Sequence, residues 1–294
     1  MMGPARPGME RGLKRLWQAC FHEPDRPVDF YLRNAYRPEN CLVYLHGGKL
    51  VSAVHLLPCR ILTEEGPAPA HYIYAAATLP EYRGHGFMAS LLAYAALYGA
   101  GRGQRYSAVL PAEPGLYSLY EKAGYQPYFR LSVQEIPADL LRGEAAPAAR
   151  GRRLAGFPAL CLARDRSLAG RPGSVLWDAA AFFYAAGSSR LYGGKLLAAG
   201  WGRDLSYAMA SAEGGACTVT EWTAAPAARR ELLGLLLREL PAKTYRFRLP
   251  EGSPLVLPGH PAEGAVFGMI KPLGGAVLPE ASPAAPPYLG LSLD

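Results

Sequence analysis

One junction narrows the folds open to this 294-residue chain. Residues 71–78 (HYIYAAAT) read as a strand, 79–86 (LPEYRGHG) as a turn, and 87–98 as an apolar helix stopped by Gly99, Gly101 and Gly103. A strand that runs through a Gly-x-Gly turn straight into a helix lets the backbone approach an anion closely. The helix N-terminus adds roughly half a positive charge to the exposed amides. Such a turn can cradle a pyrophosphate, or it can be only a tight connection. It is not a Walker loop, since no Gly-Lys-Ser/Thr follows, and it lacks the third glycine of a dinucleotide fingerprint.

The flanking sequence predicts an α/β unit. Leu13, Leu16, Trp17, Cys20 and Phe21 fall at helical spacing, and a second short helix is expected over 28–36, ahead of Pro38. Residues 41–46 and 50–62 read as a hairpin around Gly47-Gly48, and 105–110 as a strand. Pro114 and Gly124 bracket a short helix that places Leu116, Tyr120 and Ala123 on one face, and 128–135 reads as a further strand. The order ααβββαβαβ gives an α/β (α+β) fold with helices flanking the sheet. No strand is visible in residues 1–9.

A stretch rich in Pro, Ala, Gly and Arg (137–173) reads as a linker between a first domain, 1–136, and a second, 174–294. The second half repeats the first in outline. Helix 176–186, a hairpin over 190–199, strands 206–211 and 217–223, helix 227–240 and strand 243–249 are expected, with closing strands at 266–271 and 288–293. In this copy the Gly-rich turn is replaced by TAAPAARRE.

Composition removes several classes. The net charge of +7 comes from 31 Lys and Arg against 24 Asp and Glu, but the basic residues are dispersed, so nucleic-acid binding is not expected. The five cysteines form no Cys-x-x-Cys pair, which argues against a zinc site or a disulfide framework and predicts no metal. No segment reads as a secretory signal or a membrane span, so a soluble cytoplasmic protein is expected.

The segment TLPEYRGHGFMASLL resembles the acyl-CoA loop of the GNAT acyltransferases, whose pattern is Arg/Gln-x-x-Gly-x-Gly/Ala. Arg83 and Gly86 match its first and fourth positions, and Met88 stands where Gly or Ala is usual. Residues 116–125 (LYSLYEKAGY) resemble the second signature of that family, a helix ending Tyr-x-x-x-Gly-Phe/Tyr. The resemblance covers residues 10–135, and the later half is similar to the degenerate second module of tandem members. One such group, the enhanced-intracellular-survival acetyltransferases, carries a further sterol-carrier-like domain for which this chain is too short.

The resemblance implies a GNAT fold, with a mixed, mostly antiparallel sheet, followed by a degenerate GNAT-like module. It also implies direct transfer of an acetyl group from acetyl-CoA to an amine, on a small molecule or a peptide. Ala76, Ala77, Thr78, Arg83, Gly84, His85, Gly86, Phe87 and Met88 would hold acetyl-CoA, with a backbone N–H near Ala77 polarising the thioester carbonyl. Tyr120 would protonate the departing thiolate, unless it is simply a packed aromatic. Glu113 is a candidate base and equally a cap for the helix at Pro114. Glu81, His55, His71, His85 and a water chain are weaker candidates, and the base stays open. The second module, lacking the glycines, is expected to shape the acceptor pocket without binding coenzyme A. The alternative is a non-catalytic acyl-CoA-binding module.

Overall fold

The computed structural model describes residues 1–147 and 155–291. In chain order the first half runs β1 (Met2–Pro4), α1 (Glu10–Phe21), α2 (Asp25–Asn34), β2 (Cys41–His46), β3 (Lys49–Thr63) and β4 (Gly66–Thr78). It continues with α3 (Phe87–Gly101), β5 (Tyr106–Val109), α4 (Tyr117–Lys122) and β6 (Gln126–Pro127). The second half runs β7 (Arg130–Pro137), α5 (Ala138–Glu144), α6 (Phe157–Ser167), β8 (Val175–Leu176), α7 (Ala179–Leu191) and β9 (Lys195–Ala199). Then come β10 (Ser206–Glu213), β11 (Ala216–Thr223), α8 (Pro226–Glu239), β12 (Thr244–Pro250), β13 (Glu263–Val266) and β14 (Met269–Pro272). The α/β class expected from the sequence is found, as two mixed sheets with flanking helices.

The first sheet has the order β1-β2-β3-β4-β5-β14-β6. Along this order neighbouring strands are antiparallel except for β4 and β5, which α3 joins as a parallel pair. Leu42, Val54, Leu56, Ile73 and Val109 from the sheet, Leu91, Leu92 and Ala95 from α3, and Tyr120, Tyr125 and Met269 form one buried cluster. The strand missing from the sequence reading is present: Met2, Gly3 and Pro4 pair with Tyr44, Val43 and Leu42. Three residues including Gly and Pro carry no period, and Pro is tolerated there because β1 is an edge strand.

The second sheet has the order β13-β7-β12-β11-β10-β9 and repeats the core of the first. The β10–β11 hairpin leads through α8 to β12, parallel to β11, as the β3–β4 hairpin leads through α3 to β5. Leu232, Leu233 and Leu236 of α8 pack on Cys217, Val219, Tyr245 and Phe247.

The repeat is not laid out in sequence as expected. Contacts divide the chain into Met1–Tyr128 with Gly268–Pro279, and Phe129–Phe267 with the segment from Glu280, rather than into 1–136 and 174–294 around a linker. The strand read as the last of the first half is mostly β7, which lies beside β12 in the second sheet. The strand read over 266–271 is two strands, split at Gly268 (φ 118°) between the two sheets. In the expected linker, 148–154 lie outside the described residues, and α5 and α6 flank them. The hairpin expected over 190–199 is the end of α7 followed by β9 alone. Residues 288–291 are not a strand, and 292–293 lie outside the described residues. Alternation and turn residues mark each strand but not its sheet, because the pairing partner is a non-local choice.

Candidate active site

Four features of the first unit converge at the C-terminal end of β4. The first is a splay. β4 pairs with β5 from Ala70↔Tyr106 to Ile73↔Val109, and then continues alone on that side to Thr78. The second is a β-bulge. On the other side the β3 register jumps from His55↔Tyr74 to Ala53↔Ala77, which leaves Ala75 and Ala76 without partners on β3. Ala75 has φ 44°, a left-handed conformation strained for a residue with a Cβ. A bulge frees backbone groups from the ladder. Ala76 is half-buried against the α3–α4 cluster, Ala77 is buried, and Ser52 Oγ bonds both the Ala77 carbonyl and Thr78 Oγ1 at 2.8 Å.

The third feature is the turn into α3. Gly84 and Gly86 have φ 80° and 75°, conformations that glycine takes without strain. A Cβ at either would meet nothing within 4 Å, so the restriction is the backbone shape and not space. Arg83, Gly84, His85 and Gly86 are exposed, while Phe87 and Met88 are half-buried. Arg83 Nε donates to the Thr78 carbonyl at 3.2 Å, tying the loop to the strand end, and His85 stacks on Phe87. No side chain caps the helix and its first turn holds no acid. Its hydrogen bonding begins with Ser90 N–H to Gly86 C=O, so the Phe87, Met88 and Ala89 amides face outward. A 15-residue helix thus ends in an open, uncompensated positive pole.

The fourth is Tyr120, with 5% of its surface exposed, set in the same cluster on α4. Burial pushes its phenol up to about 12, so it keeps its proton throughout the neutral range. Tyr125 meets it edge-to-face at 5.5 Å.

The remaining candidates separate. Glu113 is exposed and occupies the cap position before Pro114, but its side chain makes no cap hydrogen bond. Glu81 is exposed and paired with Lys49 at 3.1 Å. His71 Nδ1 shares a 2.6 Å hydrogen bond with Gln104 Oε1, and burial lowers its pKa to about 4. His55 is enclosed by Trp17, Tyr31 and Tyr36, its Nδ1 has no hydrogen-bond partner, and burial lowers it to about 3. Neither buried histidine suits a base at neutral pH.

Sequence reading overlooked Cys20, whose thiol reaches the Thr78 carbonyl at 3.2 Å, and Lys271, which bonds the end of α4. Both lie far in sequence from what they touch. Glu221, which carried no role in the sequence reading, forms a fully buried pair with Arg164 at 2.7 Å in the second unit. Among the described residues no three His, Cys, Asp or Glu are grouped to hold a metal, and no helix is long and apolar enough to cross a membrane.

A splayed parallel pair, a bulge and an uncapped helix N-terminus thus meet at one end of the first sheet. Residues 4–128 match the family described as acetyltransferase (GNAT) domain. No curated protein matches the sequence. The fold is similar to that of a GCN5-related N-acetyltransferase from Anabaena variabilis (17% identity, TM-score 0.73, 92% of this chain and 72% of that one). It is also similar to one from Kribbella flavida (18%, 0.70, 92% and 71%). Eis1 from Mycobacterium abscessus aligns at 16% identity and TM-score 0.68, over 93% of this chain and 74% of its own. Matches that cover both units accord with two modules in tandem. Acyl transfer is the chemistry of this family.

Proposed function

We propose that the first unit binds acetyl-CoA and transfers its acetyl group to a primary amine, on a small molecule or a peptide. The observation that carries this is the departure of β4 from β5 after Ile73, on the strand that ends at the open pole of α3. The free edge at 74–78 offers a ladder to the amide-bearing pantetheine arm. The amides of 84–89 then lie where the pyrophosphate would end. The backbone freed at Ala75–Ala76 supplies donors for the thioester carbonyl as it gains negative charge.

The amine nitrogen attacks the carbonyl carbon, the carbon–sulfur bond breaks, and Tyr120 gives its proton to the departing sulfur. The proton lost by the amine passes to solvent, directly or through Glu113, and solvent returns one to Tyr120. We assign the protein to the cytoplasm, an assignment supported by five free thiols that suit a reducing compartment.

The test is calorimetric titration with acetyl-CoA, followed by a screen of amine acceptors. One-to-one binding that Gly86→Glu removes supports the reading. Absence of binding to folded wild-type protein would sink it, and binding without thiol release in any acceptor mixture would leave a carrier in place of an enzyme.

A further inference from the structure

The closing strand β14 holds the candidate acid in place, and we propose that Lys271 is a positioning residue for Tyr120. This rests on the assignment of Tyr120 as the acid. α4 has six residues, too few to be stable alone. A proton donor on so short a helix needs to be fixed from outside, and the tie comes from a distant segment. At the end of α4 Lys271 Nζ donates to the Ala123 carbonyl at 2.6 Å, across 148 residues of sequence.

That carbonyl belongs to the last turn, whose acceptors have no partner within the helix. A cation there also meets the negative pole of the helix. Gly124 follows with φ 87°, and a Cβ on it would stand 3.3 Å from Lys271 Cε, so the lysine stem lies directly against the turn.

Lys271 also acts on the side of the ring. Its Nζ lies 5.9 Å from the Tyr125 ring centroid, and that ring backs Tyr120 edge-to-face. Tyr125 is fixed by a 2.6 Å hydrogen bond between its hydroxyl and Ser107 Oγ on β5. Two positions before Lys271, Met269 is fully buried in the cluster that contains Tyr120. Lys271 therefore grips the helix end and the neighbouring ring together. Its hydrogen bond and ring contact are with Ala123 and Tyr125, neither of them in the loop 79–86, so its loss should leave donor binding alone.

The experiment measures thiol release from acetyl-CoA, with the amine found in the screen or with water where no amine reacts, alongside hydrogen exchange. Lys271→Met should lower kcat by about ten- to a hundredfold and leave KM for acetyl-CoA within about twofold, and Lys271→Arg should recover most of the rate. In a Tyr120→Phe background Lys271→Met should cost nothing further. Protection of the Ala123, Gly124 and Tyr125 amides, which bond back into α4, should fall in Lys271→Met and hold in Lys271→Arg. Wild-type kcat in Lys271→Met, or the same loss with and without the Tyr120 hydroxyl, overturns the proposal. A Tyr120→Phe enzyme at full rate removes the acid assignment and with it the role of Lys271 in turnover. Exchange separates the two failures, since unchanged protection in Lys271→Met refutes the hold on α4 whatever Tyr120 does.

Discussion

The β4–α3 junction and the β11–α8 junction are the same construction finished in two ways. Both strands part from their parallel partners before they end, β4 after Ile73↔Val109 and β11 after Val219↔Phe247. Both carry a bulge just past that point, since β11 fits Thr220 between the residues facing Ala210 and Met209. The difference lies in the turn that leads from each strand into its helix. In the first unit the turn 79–86 holds two left-handed glycines and opens on bare amides. In the second only Ala224 and Ala225 separate β11 from α8, and Pro226 takes the first helical position, where it has no N–H to offer.

The second unit also fills the space beyond its bulge. Glu221 accepts from Arg164, Tyr288 and the Leu291 amide, so the chain's own C-terminal segment is bound there. A splay and a bulge are thus compatible with an end closed by the chain itself, and the turn into the helix is what distinguishes the two junctions.

The sharpest break of this comparison is chemical. Tyr120→Phe should cut kcat by about 10²–10⁴ with little change in acetyl-CoA affinity, measured by thiol release, whereas Tyr207→Phe, beside Glu221, should leave turnover unchanged. Next comes the plug. Arg164→Met leaves Glu221 buried and unpaired and should cost about 3–5 kcal/mol in denaturant unfolding, and Arg164→Met with Glu221→Leu should recover most of it. At the turns, Gly86→Glu should weaken acetyl-CoA binding by about a hundredfold, roughly 2.7 kcal/mol, while Ala225→Glu changes nothing. A loss at Ala225 would mean that the second junction binds the donor as well.

The smallest effect is on pH. His55 and His71, both in the first unit, are held neutral with pKa values depressed to about 3 and about 4. The unfolded chain takes protons below the ordinary 6.5 that the folded chain refuses. Their contribution is therefore complete above that pH and is lost as pH falls toward 4 and 3. Acidification from pH 7 to 5 should cost about 2 kcal/mol per histidine, and His55→Phe should flatten the profile. Exchange at pH 5 should open the first unit before the second, whose one histidine, His260, is only half-buried; the reverse order would refute the assignment.

Legibility in the sequence tracks the range of each interaction. The 71–98 junction, the helix carrying Tyr120 and the outline of the repeat are written in contiguous residues, in glycines and in periods. β1 was invisible because a three-residue edge strand with Gly and Pro has no period to show. The bulge at Ala75–Ala76 was hidden in a run of three alanines that any register would accept. Glu221 could not be interpreted without Arg164, nor Ala123 without Lys271, since the meaning of each lies in a partner more than fifty residues away. Glu113 shows the opposite limit: local grammar placed it correctly at the start of a helix, but gave it a capping bond that it does not make.

The exchange of β7 and β14 between the sheets has a consequence for how the protein is made. Emerging from a ribosome, the first unit has its glycine turn and its α4 early, but β5 and β6 keep a gap between them until residues 269–272 arrive. For the time needed to translate well over a hundred residues, Ala108 and Val109 have β4 on one side and no strand on the other, and the Tyr120 face of the core lacks Met269. Such late, non-local closure slows folding and exposes an unpaired edge. If Tyr120 is the acid, a chain that stops before residue 269 lacks both Met269 and Lys271 around it and should show no turnover.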